Sequence, residues 1–183
     1  SAHYGKPIGT AMAVAMTRAP HRLSRAAKIF AVSNQVRDAV LAASALPQSR
    51  IEVIENFFDE ETVAKAAFDP RPDWLPEGPT VLAIGAVSRF KGAPLLVEAW
   101  PGVRAEVSRR SASTNPSADA PQLVFIGPTT DETPHNLGEG VVTVGPRPHR
   151  EVLAAMRHAR AVAVVSIGPD ACPTTAMEAM ASE

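Results

Sequence analysis

Asp170 and Glu178 bracket the stretch Asp170-Ala171-Cys172-Pro173-Thr174-Thr175-Ala176-Met177-Glu178, which follows the apolar run Ala161 to Val165. Two carboxylates on either side of a strand-to-helix turn can orient ligand hydroxyls or steady positive charge, and the backbone N–H groups of Thr174 and Thr175 at a helix start suit a phosphate. Glu178 has a second reading. Thr175-x-x-Glu178 has the spacing of a capping box, in which the carboxylate turns back onto its own helix start, and spacing alone leaves both readings open. Cys172 lies in the same turn, where a helix N-terminus can lower a thiol pKa; with no histidine nearby in sequence, a small buried side chain is the better reading.

A second group of residues follows the apolar run Thr80 to Ile84. Gly85 permits close approach of backbone to a ligand, and the cations Arg89 and Lys91 could neutralise phosphate charge; the alternative for both is an ordinary solvated loop. His149 and His158 flank a helical segment but stand at no metal-ligand spacing from another His, Cys or carboxylate, so no metal is expected and no chemistry is assigned to them. Gly145 reads as a turn glycine, with Arg147 beside it as a further cation.

These residues need elements to hold them. Thr10 to Arg25 has helical composition, Lys28 to Val32 is a short strand, and Ser33 is a good N-cap for a helix over Asn34 to Ala45. Arg50 to Ile54 alternates as a strand. Ala66 to Pro79 carries Pro70, Pro72, Pro76, Gly78 and Pro79 and reads as an extended connector. Beyond it come strands at Thr80 to Ile84, Gln122 to Ile126, Val141 to Val144 and Ala161 to Val165, and helices at Pro94 to Trp100 and Arg150 to Ala159. Unbroken apolar strands with helices between them predict an α/β, Rossmann-like parallel sheet with flanking helices. Arg104 to Pro121 lacks periodicity and reads as a flexible surface insertion.

The predicted organisation is 1–66, a connector at 67–79, and a nucleotide-binding part at 80–183. With 183 residues, 45% of them hydrophobic, and a net charge of −1, the chain is neither disordered nor a nucleic-acid-coating protein. The single cysteine allows no internal disulfide framework, which favours a cytoplasmic location. Ala11 to Met16 is too short to span a bilayer. The start at Ser1 and the stop at Glu183, inside or just after a helix, give the expectation of an internal fragment.

In five segments the chain resembles the family 4 (group 1) retaining glycosyltransferases of the GT-B fold. KIFAVS with RIEVIEN at 28–33 and 50–56 is similar to the crossing from acceptor into donor domain, and IGAVSRFKG (84–92), LVFIG (123–127), VVTVG (141–145) and PDACPTTAMEAMA (169–181) follow in the family's order. The resemblance implies a donor domain incomplete at both ends, with 1–66 the end of the acceptor domain and the interdomain crossing. It implies transfer of a sugar from a nucleoside diphosphate sugar to an acceptor hydroxyl (saccharide, lipid or small molecule) in carbohydrate biosynthesis. No cofactor or metal is implied, nor any nucleic-acid partner, and peripheral membrane association would come through the missing domain.

By the same resemblance Asp170 lies beside the transferred sugar as the catalytic residue and Glu178 bonds the ribose hydroxyls. Lys91 contacts the diphosphate with the amides at Thr174 and Thr175, and Gly85 opens the donor loop, which in this family is usually followed by an arginine. Here that position is Ala86, and Arg89 could supply the charge. Asp170 also departs from the family's more frequent glutamate. The loop at Gly145 corresponds to one near the nucleobase. As a fragment the chain is expected to be inactive in transfer. Alternatives are a non-catalytic nucleotide-binding module or another GT-B enzyme, such as a sugar-nucleotide epimerase or a phosphorylase; a dehydrogenase is disfavoured because no G-x-G-x-x-G follows Thr80 to Ile84.

Overall fold

The computed structural model describes residues 25–110, 120–167, 170 and 172–182. The expected helix at Thr10 to Arg25 lies, but for its last residue, outside them. The chain divides into two compact units, Ser1–Phe57 with Asp170–Pro173, and Phe58–Pro169 with Thr174–Glu183.

The first unit contains a parallel β-α-β turn. Strand β1 (Ile29–Ala31) pairs with β2 (Ile51–Val53), Ile29 opposite Ile51 and Ala31 opposite Val53. Helix α1 (Asn34–Ala43) connects them. Its predicted cap is formed: Ser33 is extended, and its Oγ accepts the Val36 N–H at 3.2 Å. Ala31, Leu46 and Ile51 form a small core against Val36, Val40 and Leu41, the apolar positions that share one helix face.

The second unit opens with helix α2 (Glu60–Ala66), which the sequence reading missed. Asp59 caps it, accepting from the N–H groups of Glu61 and Thr62, while Glu60 and Glu61 in the first turn and Lys65 in the last complement the helix dipole. A four-stranded sheet follows: β3 (Thr80–Ile84), β4 (Gln122–Ile126), β5 (Val141–Thr143) and β6 (Ala161–Val162), all parallel, in the order β5-β4-β3-β6. β3 and β4 lie in full register, Thr80 opposite Gln122 and Ile84 opposite Ile126, over the residues read as strands from sequence.

Helices cover both faces. Leu82, Val124 and Ile126 face Val63 and Ala66 of α2 and Leu153, Ala155 and Met156 of α4 (His149–His158). Ala83, Leu123 and Phe125 face Ala93 and Trp100 of α3 (Ala93–Arg110). This two-sided burial is the reason the strands are apolar without a break.

Two expectations are corrected. Arg104 to Arg110 is not a shapeless insertion but the end of α3, which runs through Pro101. Glu106 holds Arg109 and Arg110 one turn on, at 2.7 and 2.5 Å, and Arg104 reaches Glu139 at 2.7 Å; such pairs, with cations in the last turn, prolong a helix of weak composition. Residues 111–119 of that predicted insertion lie outside the described set. The last strand is shorter than Ala161 to Val165. After Val162 the Ala163 N–H still bonds the sheet, at Leu82 O, and the Ile167 N–H bonds the loop after β3. Among the described residues, no helix is long and apolar enough to cross a membrane.

Candidate functional site

In the second unit all strands are parallel, so β3, β4, β5 and β6 end along one edge of the sheet. The chain lays β4 and β5 outward from β3 on one side, then returns to place β6 on the other. The helix after β3 packs on one face, whereas Ala179 of α5 (Thr174–Ala181), which follows β6, packs into the core of the opposite face. A parallel sheet opens a crevice where its order reverses in this way, at the carboxyl ends of the two neighbouring strands between which the chain changes direction. Here those are β3 and β6.

The loop leaving β3 is tightly built. Gly85 N–H donates to Ile126 O at 2.9 Å and Val87 N–H to Pro128 O at 2.9 Å. Ser88 is fully buried; its carbonyl accepts the Ala93 N–H at 3.1 Å and its Oγ the Lys91 N–H at 3.4 Å. Phe90 O accepts the Ile167 N–H at 2.9 Å, which ties the loop to the segment after β6. Gly92, at φ 76°, lies so close to that segment that a Cβ would overlap the Val165 carbonyl and come within 2.8 Å of its Cγ2. Lys91 therefore sits on a loop clamped across the crevice. Its side chain runs beside Gly85, where a Cβ would stand 3.8 Å from Lys91 Cε. Arg89 is exposed and forms no ion pair among the described residues, and Ala86 is half-buried.

The other wall starts at α5. Thr174 and Thr175 are its first two residues, so their N–H groups have no partner within the helix. Glu178 is the fifth helical residue, its side chain only 13% exposed, and its Oε1 meets His149 Nε2 at 2.9 Å. This resolves the two sequence readings of Glu178 in one respect: with the helix beginning at Thr174, Thr175 is inside it rather than at its cap, and the carboxylate is held by His149 instead of turning back onto the helix start. His149, the first residue of α4 and 59% exposed, was assigned nothing from sequence. Its partner is 29 residues away, so no local spacing could reveal it.

Asp170 belongs to the first unit and is half-buried. In that unit Asn56 Nδ2 donates to Cys172 O at 2.8 Å, and Cys172 has φ 134°, the one non-glycine residue with positive φ among those described. Sequence reasoning gave Asn56 no role. Of the predicted residues, the second unit thus brings Gly85, Arg89 and Lys91 to the end of β3 and Thr174, Thr175 and Glu178 to the start of α5, along the same sheet edge. Asp170 is placed with Asn56 and Cys172.

A further cleft of about 710 Å³ lies between the connector and α4, lined by Asp69, Arg71, Trp74, Arg147, Arg150 and Glu151 among others. Arg147 stacks over Trp74, 5.2 Å from the ring centroid, and Trp74 Nε1 donates to Glu151 Oε2 at 2.6 Å. Arg150 grips Asp69 with two bonds of 2.6 Å and holds its carboxyl below the usual carboxylate range. The connector is thereby fastened to α4 by named bonds, although its composition permits no regular element.

No family model matches the chain, and no curated protein does. Solved structures do. Anabaena Alr3699/HepE in complex with UDP and glucose superposes with a TM-score of 0.68 at 18% identity, covering 94% of this chain and 46% of that one. Trehalose-6-phosphate from E. coli bound with UDP-2-fluoro glucose gives 0.64 at 12% identity, covering 86% and 43%. A trehalose-6-phosphate synthase studied for glycosyltransfer with retention gives 0.62 at 15% identity, covering 85% and 43%. The chain spans a little under half the length of these structures. Its architecture is the α/β fold of the GT-B glycosyltransferases.

Proposed function

We propose that the chain forms the donor-binding side of a nucleotide-sugar-dependent, retaining glycosyltransferase of the GT-B type, resembling family 4, with UDP as the nucleotide. The observation that carries this reading is the clamped loop bearing Lys91 at the switch point, on the same sheet edge as the start of α5 and Glu178. The structural neighbours support it, since HepE was solved with UDP and with UDP-glucose.

In the proposed reaction the bond between the anomeric carbon and the diphosphate oxygen breaks, a bond to the acceptor oxygen forms on the same face, and the acceptor hydroxyl's proton passes to the departing diphosphate. Negative charge grows on the departing diphosphate. Lys91, joined by Arg89 and the N–H groups of Thr174 and Thr175, binds that charge more strongly as it develops, which lowers the barrier rather than merely holding the substrate. Gly85 lets the diphosphate approach the backbone, Glu178 accepts the ribose hydroxyls, and Asp170 attends the sugar. Residues 1–66 would complete an acceptor-side crossing and 67–79 the connector. We assign the reaction to the cytoplasm.

Calorimetric titration with UDP, GDP and ADP tests the reading. UDP should bind, and Lys91→Ala and Glu178→Ala should each weaken it about tenfold or more, as expected for loss of a hydrogen bond to a charged group. Equal affinity in wild type and both variants would refute the site. Ala86, standing where the resemblance places an arginine, favours a second reading as a nucleotide-binding module without transfer; UDP binding with no hydrolysis or transfer of UDP-sugars by the whole protein would select it.

A further inference from the structure

We propose that His149 is a positioning residue for Glu178: its Nε2–H fixes one carboxylate oxygen so that the other is held ready for the ribose diol of the nucleotide. The inference rests on the ribose role proposed above for Glu178 and goes beyond it, since the sequence assigns His149 nothing.

A carboxylate has two oxygens that accept, so in this pair the ring nitrogen 2.9 Å from Glu178 Oε1 is read as the donor. With Oε1 engaged, the carboxylate plane is set. A vicinal diol presents two O–H donors side by side and is recognised best by an acceptor whose orientation is fixed before the ligand arrives, because ordering a long side chain during binding weakens affinity. His149 itself is well placed for this. It opens α4, directly after the loop Gly145–Pro148, and α4 and α5 both begin along the edge where β5 and β6 end.

The alternative is that the pair merely joins two helices. The packing speaks against it: Val152, Leu153 and Met156 of α4 lie in the same buried core against which Ala179 of α5 packs. An ion pair whose histidine is 59% exposed adds little to that core. What the bond changes is the direction of a carboxylate that is 87% covered, not the stability of the fold.

The test compares UDP with 2′,3′-dideoxy-UDP, which lacks both hydroxyls, by calorimetry on the full chain. Wild type should prefer UDP. His149→Ala should weaken UDP by about fivefold to tenfold, the scale of one ordered side chain and one charge-assisted bond, and leave dideoxy-UDP unchanged, so that the preference shrinks. His149→Gln, whose amide reaches about as far as Nε2 and can donate the same bond, should restore it. Equal losses for both ligands, an unchanged UDP affinity, or tighter UDP binding in His149→Ala would overturn the inference while leaving the donor site standing. A wild-type chain that binds neither nucleotide would overturn the donor reading itself, and this inference with it.

Discussion

Substituting Gly92 by alanine perturbs the point at which the Lys91 loop meets the segment after β6, and its cost can be worked from the structure. Two terms add. At φ 76° an L-residue pays about 1 kcal/mol for the left-handed backbone. The new Cβ would also overlap the Val165 carbonyl, so the loop must retreat by roughly 1 Å to reach ordinary contact distance. That retreat breaks the bond from Ile167 N–H to Phe90 O, 2.9 Å long, for about another 1 kcal/mol, with overpacking strain of about 1 kcal/mol in addition. The expected total is about 3 kcal/mol. Gly138 is the internal control: its φ is also 76°, yet a Cβ there meets nothing within 4 Å, so Gly138→Ala should cost only the backbone term of about 1 kcal/mol. Urea unfolding compares the two variants, and hydrogen exchange at the Ile167 amide reports the clamp locally. Protection there should collapse in Gly92→Ala and persist in Gly138→Ala. Equal destabilisation by the two substitutions, with Ile167 still protected in both, would refute the claim that the loop is clamped.

Other perturbations have equally definite outcomes. Cys172→Gly should raise stability by about 1 kcal/mol, because φ 134° strains any residue with a Cβ; a lower urea midpoint would contradict this. Ser33→Ala removes the acceptor for Val36 N–H and should cost about 1 kcal/mol, read as fraying of α1 by hydrogen exchange. Asp69 has a carboxyl lowered by the Arg150 guanidinium, so its contribution is present above its unfolded pKa and is lost as pH falls through the lower folded value. Asp69→Asn should therefore reduce stability at neutral pH and flatten the acid limb of a pH–stability curve below about pH 4; parallel curves for variant and wild type would exclude that role.

The strands read to the residue from sequence are those buried on both faces. β3 and β4 are apolar at nearly every position because helices cover both faces, and their bounds come out to the residue. α2 escaped because only Val63 and Ala66 of its seven residues are buried, which leaves almost no periodicity; the legible signal was its cap, Asp59 followed by Glu60 and Glu61. The end of α3 was misjudged because Pro101 and the Ser- and Arg-rich stretch suggest a stop, whereas Glu106 with Arg109 and Arg110 sustains the helix by charge rather than by an apolar stripe. The position of Lys91 and Gly85 at the carboxyl end of β3 was legible because they follow an obvious strand. The partnership of His149 with Glu178, and that of Asn56 with the Cys172 carbonyl 116 residues away, are made by the fold alone and leave no trace in local spacing.

Amide chemical shifts recorded while UDP is added to isotopically labelled protein report whether the end of β3 and the start of α5 bind one ligand. Gly85, Lys91, Thr174 and Thr175 should shift together on a single binding curve, and Lys91→Ala should weaken the whole set. Shifts confined to Trp74, Arg147 and the connector, or none at millimolar UDP, would contradict the donor reading.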